Sequence, residues 1–467
     1  MIPALSDQRD IRESKFRPVN MDSRFRGNDD RICAPDIQPG TTGHDMANKK
    51  SKLKALFGIL GPGFVTGAAD DDPTAIAAYT QAGAQFGYGQ LWTALFTIPF
   101  MSVVQEMCGR IGIVTGNGLA TVIKRHYSKR ILYGAVLLLF ISNAVNIGAD
   151  LGAMAASGQL LVKVPFTLLL VIITALTLSL EIFVTYNKYV KYLKYLTLTL
   201  LAYVIVAFLV KQDWRRVAVA AVVPSFSFHK DYVLSVLAIL GTNISPYLFF
   251  WQASEEVEEE RSASSSRGTD GRGPRSLNKE VNESRVDTIV GMVFSNIIVL
   301  FIAITAASTL GRHGITDIQS PAQAADALRP LAGNFSFALF AIGIIGSGLL
   351  AVPVLAGSSS YALSEALGWK EGLSKRFKQA KGFYLVIVAS VLIGLSVNLL
   401  GIDAFKMLIY AAALNAVLAP PLLILIIRIS GSEEIMGTYT NSFAAKSLGY
   451  LIAGIMALAS IGFVVSL

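Results

Sequence analysis

Between Gly61 and Tyr88 the chain reads GPGFVTGAADDDPTAIAAYTQAGAQFGY, apolar enough to lie in a membrane yet carrying Asp70, Asp71 and Asp72 in succession, followed by Pro73. A charged side chain at the centre of a bilayer costs at least ~2.5–3.5 kcal/mol on insertion scales. Pro73 has no N–H and disfavours helix at Asp72. A helix broken at that depth leaves backbone carbonyls free, and a carboxylate beside them makes a cation site. Such breaks are tolerated only where they line a cavity. A surface loop between two short helices would also accommodate the acids. The apolar residues on both sides argue for the membrane reading.

Of the 467 residues, 53% are hydrophobic and only 15% charged; a soluble protein would carry roughly 25% charged residues. The chain therefore reads as an all-α polytopic membrane protein, and its net charge of +8 belongs to loops rather than to a nucleic-acid surface. Two cysteines, Cys33 and Cys108, make no disulfide framework, and the four histidines are scattered. No GxSxG, HExxH or Walker loop is present, so no enzyme and no resident cofactor is expected.

Residues 1–50 are polar, of mixed charge and without an amphipathic period, which predicts a disordered tail preceding a transmembrane domain over 51–467. Met46 opens MANKKSKLKALFGILGPG, a natural start for a membrane protein, so residues 1–45 are expected to be dispensable. Apolar runs follow at roughly 54–86, 91–115, 132–162, 165–185, 193–211, 232–252, 287–309, 334–365, 383–400, 404–428 and 445–466. At about 20 residues per crossing this gives about eleven spans. Basic residues collect after the second span (Lys124, Arg125, Lys129, Arg130), the fourth (Lys188, Lys191, Lys194) and the eighth (Lys370, Lys375, Arg376, Lys378, Lys381). Lys211, Arg215 and Arg216 after the fifth are the exception. The bias places the N-terminus in the cytoplasm. The segment from Ser254 to Arg285, with EEVEEE and then SASSSRGTDGRGPRS, reads as a flexible, solvated cytoplasmic loop, in which EEVEEE is read as a charged helix end rather than a cation-attracting vestibule.

The sixth run carries a second break, Gly241-Thr242-Asn243-Ile244-Ser245-Pro246-Tyr247. Two Pro-interrupted spans in corresponding places of two halves point to inverted repeats with a binding site near the bilayer midplane. The repeats would cover about 54–211 and 232–428, with an extra helix at about 445–466.

Here the chain resembles the NRAMP family (natural resistance-associated macrophage proteins). The resemblance rests on GPG at 61–63, Asp72-Pro73, QFGY at 85–88, Leu91-Trp92, Gln105 with RIGIVTG at 110–116, Asp150-Leu151 and Pro246. It implies a LeuT-like inverted repeat (5+5), with helices 1 and 6 broken, and proton-linked import of divalent transition metals across a bacterial inner membrane. The chain departs from the family at the site. The family's Asp-Pro-Gly-Asn reads Asp72-Pro73-Thr74-Ala75, and its Met-Pro-His reads Ser245-Pro246-Tyr247. The third-span acid falls at Ala153. The tenth-span glutamine falls near Ala411 or Ala412, with Asn415 one turn on.

A thioether suits soft or borderline metals, whereas oxygen donors suit Mg, Ca and Mn. The groups left for a metal are the Asp72 carboxylate, carbonyls near Ala69 and Thr242, and the Ser245 hydroxyl, with Asp71, Thr74 and Asn243 within a turn. All are oxygen donors. Mg2+ keeps several waters and uses one or two carboxylates, and losing two bulky ligands leaves room for those waters. The expected cargo is therefore Mg2+ or Mn2+. Ser245 could instead be a small packing residue. Protons are a second candidate cargo, with Asp72, Asp150, Tyr247 and Asn415 on a polar pathway. Asp150 could equally accept a structural hydrogen bond from Asn146. With tyrosine in place of histidine, uptake without stoichiometric proton entry is expected. Two other functions remain open: a transporter of this fold for a small organic solute, and a membrane sensor that has lost transport.

Overall fold

The computed structural model describes residues 61–184, 197–267 and 274–466. The polar tail, the start at Met46 and the basic loop of Lys188, Lys191 and Lys194 lie outside the described residues. Among the described residues every regular element is a helix. The first apolar run forms α1 (Pro62–Asp70) and α2 (Pro73–Phe86). Then come α3 (Leu91–Thr115), α4 (Lys129–Gly158), α5 (Phe166–Phe183) and α6 (Leu201–Leu209). The sixth run is split into α7 (Lys230–Asn243) and α8 (Pro246–Arg267). The chain continues with α9 (Pro274–Thr309), α10 (Ser336–Leu367), α11 (Lys381–Val397), α12 (Ala404–Ser430) and α13 (Phe443–Ser466).

Each expected apolar run has its helix, whole or in halves. Nine helical segments among the described residues are long and apolar enough to cross a membrane. The two runs missing from that count are the first, whose halves have 9 and 14 residues, and the fifth, where α6 has 9. The broken element is central: 83% of the apolar window within Lys230–Arg261 is buried, against 28% for Phe443–Phe463 at the periphery. Large apolar side chains such as Leu137, Phe208 and Leu458 are exposed on the outer helices, as a lipid-facing belt requires.

Both interruptions have local causes. Asp72 takes an extended conformation, and its Oδ1 accepts from the Ala75 N–H at 2.8 Å, capping α2, while Pro73 fills the first helical position, where no donor is needed. At the second break the Ser245 hydroxyl lies 2.7 Å from the Gly241 carbonyl and 2.8 Å from that of Thr242. It thereby satisfies acceptors left open where α7 ends. Pro246 then starts α8, with Leu248 N–H donating to the Ser245 carbonyl at 3.2 Å.

Small residues let these half-helices pack at backbone distance. A Cβ on Gly67 would land on the Gly291 backbone of α9, and one on Gly241 would land on the Ala412 carbonyl of α12. The half-helices are thus pressed against α9 and α12.

The flexible loop expected from Ser254 to Arg285 is corrected by the structure, whereas the helix expected at EEVEEE is present. α8 runs on through EEVEEE to Arg267, and α9 begins at Pro274; only 268–273 lie outside the described residues. Glu256 and Glu258 are held by donors, whereas Glu259 is exposed. Glu256 Oε1 accepts from Gln252 Nε2 at 2.9 Å and from the Ser284 hydroxyl at 2.5 Å, and Glu258 Oε2 accepts from the Ser374 N–H at 3.2 Å. Supplied with donors, the acid run stays helical. Glu106 is also a structural group, ion-paired with Arg110 at 3.1 Å and with Arg285 at 2.9 Å.

The packing makes a testable demand. Gly67→Leu overpacks the contact with Gly291 and is expected to destabilise the fold by about 1–3 kcal/mol or more. Gly134→Leu, with nothing within 4 Å of its Cβ position, is the control. Thermal unfolding in detergent should separate the two variants; equal midpoints would refute the close-packing account.

Candidate metal centre

The two breaks meet. Asp72 Oδ1 is held by the Ala75 N–H at 2.8 Å and by the Thr74 hydroxyl. Its Oδ2 lies 3.3 Å from the Tyr247 hydroxyl, which is also 3.2 Å from the Ala69 carbonyl at the end of α1. Thr74 Oγ1 lies 3.3 Å from Thr242 Oγ1 on the other half-helix pair. Asp72, Ala69, Thr74, Thr242 and Tyr247 therefore surround one point, all of them buried. The phenol donates one hydrogen between two acceptors, so its positive end faces the oxygens a cation would use. A cation here would replace that dipole by a full charge, and the phenol oxygen could then turn a lone pair inward.

The remaining expected residues are distributed around this point. Ser245 is beside it but is engaged with the α7 carbonyls. Asn415 Nδ2 lies 3.4 Å from Ser245 Oγ, and the amides of Asn415 and Asn146 pair reciprocally at 2.7 and 3.2 Å. Asn415 thus joins α4 and α12 to the second break. Asp71 faces Ser295 of α9, 2.9 Å away. Asn243 Nδ2 contacts Tyr79, Thr97 and Asn296 at 2.8, 2.9 and 3.2 Å, away from Asp72. The expected bond from Asn146 to Asp150 is absent, because Asn146 Nδ2 is bound to the Ser142 carbonyl and to Asn415. Both Asp150 oxygens are buried without a partner.

A cavity of about 380 Å³ opens where α2 ends and α7 begins, lined by Gln81, Gln85, Asp231, Asp317, Lys406 and Tyr410 among others. Gln81 accepts from the Ile318 N–H at 3.0 Å and donates to the Thr316 carbonyl at 2.9 Å, fixing the loop that carries Asp317. The cavity is lined at Ala78 and Ala238, which form a small buried cluster with Ala412. Ala78 is one turn beyond Thr74, and Ala238 one turn before Thr242. The alanines therefore stand between the cavity and the Asp72 pocket.

Paired broken helices, packed at the centre of a helical membrane protein with a buried carboxylate at their meeting point, define a secondary-transporter architecture. The comparisons agree. Residues 63–466 match the family model described as natural resistance-associated macrophage protein-like; the chain belongs to that family. A divalent metal cation transporter MntH from Clostridium acetobutylicum is 26% identical over 418 residues, covering 88% of this chain and 91% of that one. The protein of the same name from Mycobacterium leprae is 24% identical over 428 residues, covering 90% and 95%. The structure of a manganese transporter from Eremococcus coleocola superposes with a TM-score of 0.67 at 18% identity, covering 92% of this chain and 88% of that one. Mhp1, a nucleobase-cation-symport-1 family transporter, superposes at 0.54 with 13% identity, covering 87% and 90%. The fold is LeuT-like, and these relatives are transporters rather than enzymes.

Sequence reasoning passed over Ser295, Asn296 and Asn143, all buried in the bundle. Their signal was available as polar residues inside apolar runs. The cavity acids Asp231 and Asp317 had no such signal, since they flank their spans.

The cap and the charge of Asp72 are separable. Asn is as good a helix N-cap as Asp, so Asp72→Asn should fold normally and still lower divalent-ion affinity by on the order of 100-fold or more. Asp71→Ala, which leaves the Tyr247 pocket intact, should weaken binding less. Isothermal titration beside a melting curve tests both; normal binding by Asp72→Asn would move the site elsewhere.

Proposed function

We propose that the protein is a secondary transporter importing divalent metal cations, with Mg2+ or Mn2+ favoured, through the oxygen-lined pocket between the two breaks. The observation that carries this reading is the buried Asp72 carboxylate facing the Ala69 carbonyl and the second break, with only oxygen groups beside it. Among the described residues no three His, Cys, Asp or Glu side chains gather as a metal cage. One carboxylate plus neutral oxygens and water suits Mg2+, and Mn2+ accepts the same shell. The relatives named as divalent metal cation and manganese transporters support the cargo class. Three consecutive carboxylates at the break oppose an anionic organic solute. The chain is an integral membrane protein, and the basic loops favour a bacterial inner-membrane placement with the N-terminus in the cytoplasm. Each positive charge moving inward gains ~2.3 kcal/mol per 100 mV, so potential alone suffices to drive uptake.

In a competition assay, Mg2+ and Mn2+ should compete at comparable concentrations in wild type. Ser245→Met supplies a thioether and should shift preference toward Mn2+ and Cd2+, and Ala75→Asn with Ser245→Met should do so more strongly. Wild-type Mn2+ uptake that ignores a large Mg2+ excess would defeat the oxygen-site reading.

Coupling is read separately. The residue after Pro246 is a phenol, with a reference pKa of ~10, so metal uptake should proceed without stoichiometric proton entry. A pH dye inside proteoliposomes reports this. Metal-dependent acidification that is lost in Asp150→Asn would overturn it.

A further inference from the structure

The three consecutive carboxylates do not act as one group. Asp72 faces Tyr247 and the second break, whereas Asp70 and Asp71 turn toward α9. Ser295 Oγ lies 2.9 Å from Asp70 Oδ2 and 2.9 Å from Asp71 Oδ1. A hydroxyl has one hydrogen, so it satisfies one of these carboxylates at a time. Asp70 is only 1% exposed, and its Oδ1 has no hydrogen-bond partner at all. Among the described residues no Lys, Arg or His is ion-paired with either acid. Asp70 also ends α1, where the free carbonyls and the negative pole of the helix dipole add to the acids' potential. Two adjacent buried carboxylates without a counter-charge are too costly to stand alone.

Charge decides what completes them. Asp70, Asp71 and Asp72 together bring three negative charges. A divalent ion at Asp72 leaves one. A second divalent ion would overshoot, whereas a single monovalent cation closes the count. The donors are all oxygen: both Asp70 oxygens, Asp71 Oδ1 and Ser295 Oγ once its hydrogen rotates away. Such a set is hard and suits an alkali ion. We propose that Asp70, Asp71 and Ser295 form a second cation site, separate from the Asp72 pocket, which binds one alkali cation together with the divalent cargo. The charge count rests on the reading of Asp72 as the divalent ligand; the site itself rests on its own residues.

The probe is Na+. Binding of radioactive Na+ to the purified full-length protein, with and without Mn2+, is measured beside Mn2+ uptake into proteoliposomes in Na+, K+ or N-methyl-D-glucamine at equal pH. Wild type should bind Na+ saturably, more tightly when Mn2+ is present, and should take up Mn2+ several-fold faster in Na+ than in N-methyl-D-glucamine. Ser295→Ala should weaken Na+ binding at least ~10-fold and Asp70→Asn should abolish it, while Ser295→Thr, which keeps the hydroxyl, should retain it. Asp72→Asn should keep Na+ binding and lose Mn2+ binding. Mn2+ binding without saturable Na+ binding overturns the second site and leaves the divalent reading standing; the reverse result overturns the divalent reading alone. Uptake that responds to a pH gradient and to neither Na+ nor K+ assigns the acid pair to a proton and also overturns the proposal. So does Na+ binding that is unchanged in both Ser295→Ala and Asp70→Asn.

Discussion

The structure depends on the hydrogen bond from the Ala75 N–H to the Asp72 carboxylate. An N-cap of this kind contributes about 1 kcal/mol, and it lets a new helix start at Pro73 in the middle of an apolar run. The same capping geometry holds the other carboxylate oxygen toward Tyr247 and the second break. The group that ends helical continuity is thereby the group that places a carboxylate between the two breaks. At the second break Ser245 is held by a similar local device, its hydroxyl closing the carbonyls of α7.

Around this meeting point the protein separates polar from apolar function by depth. Small residues such as Gly67 and Gly241 bring half-helices against α9 and α12 at backbone distance. Close packing of this kind leaves little room for water, so the buried polar side chains bond one another. Asn143 reaches Ser358 and Ser359, Asn146 pairs with Asn415, and Asn243 binds Tyr79 and Thr97. Buried oxygens without partners remain on Asp70 and Asp150, and also on Glu181, Gln105, Asn143 and Asn243. An unpartnered buried carboxylate costs more than an unpartnered amide or hydroxyl, because it can carry a full charge.

The alanine cluster of Ala78, Ala238 and Ala412 lies between the cavity and the Asp72 pocket. Alanine methyl groups make a thin, apolar and sterically modest closure. The cavity lining mixes Asp231, Asp317 and Lys406 with Leu234 and Ile409, so charged and apolar side chains face the same space.

Hydropathy alone determined the class of protein, since long apolar runs in a chain with few charges can only be membrane helices. It also determined the two breaks: Pro73 and Pro246 lack the N–H a continuous helix needs, and the physics of that loss is local. The family frame was legible in short motifs for the same reason. What tertiary structure decided was direction. Asp70, Asp71 and Asp72 are adjacent in sequence, yet the turn at Asp71 sends two of them to Ser295 and one to Tyr247. Asn146 was a neighbour of Asp150 by helical spacing, yet it bonds Asn415 from a helix 269 residues away in sequence. EEVEEE was legible as a charged helix end, but its partners were not: Gln252 lies one turn back on the same helix, whereas Ser284 and the Ser374 N–H are brought in by other segments. Backbone breaks are properties of a few consecutive residues, whereas the partner of a buried polar atom is chosen by whichever helix packs across from it.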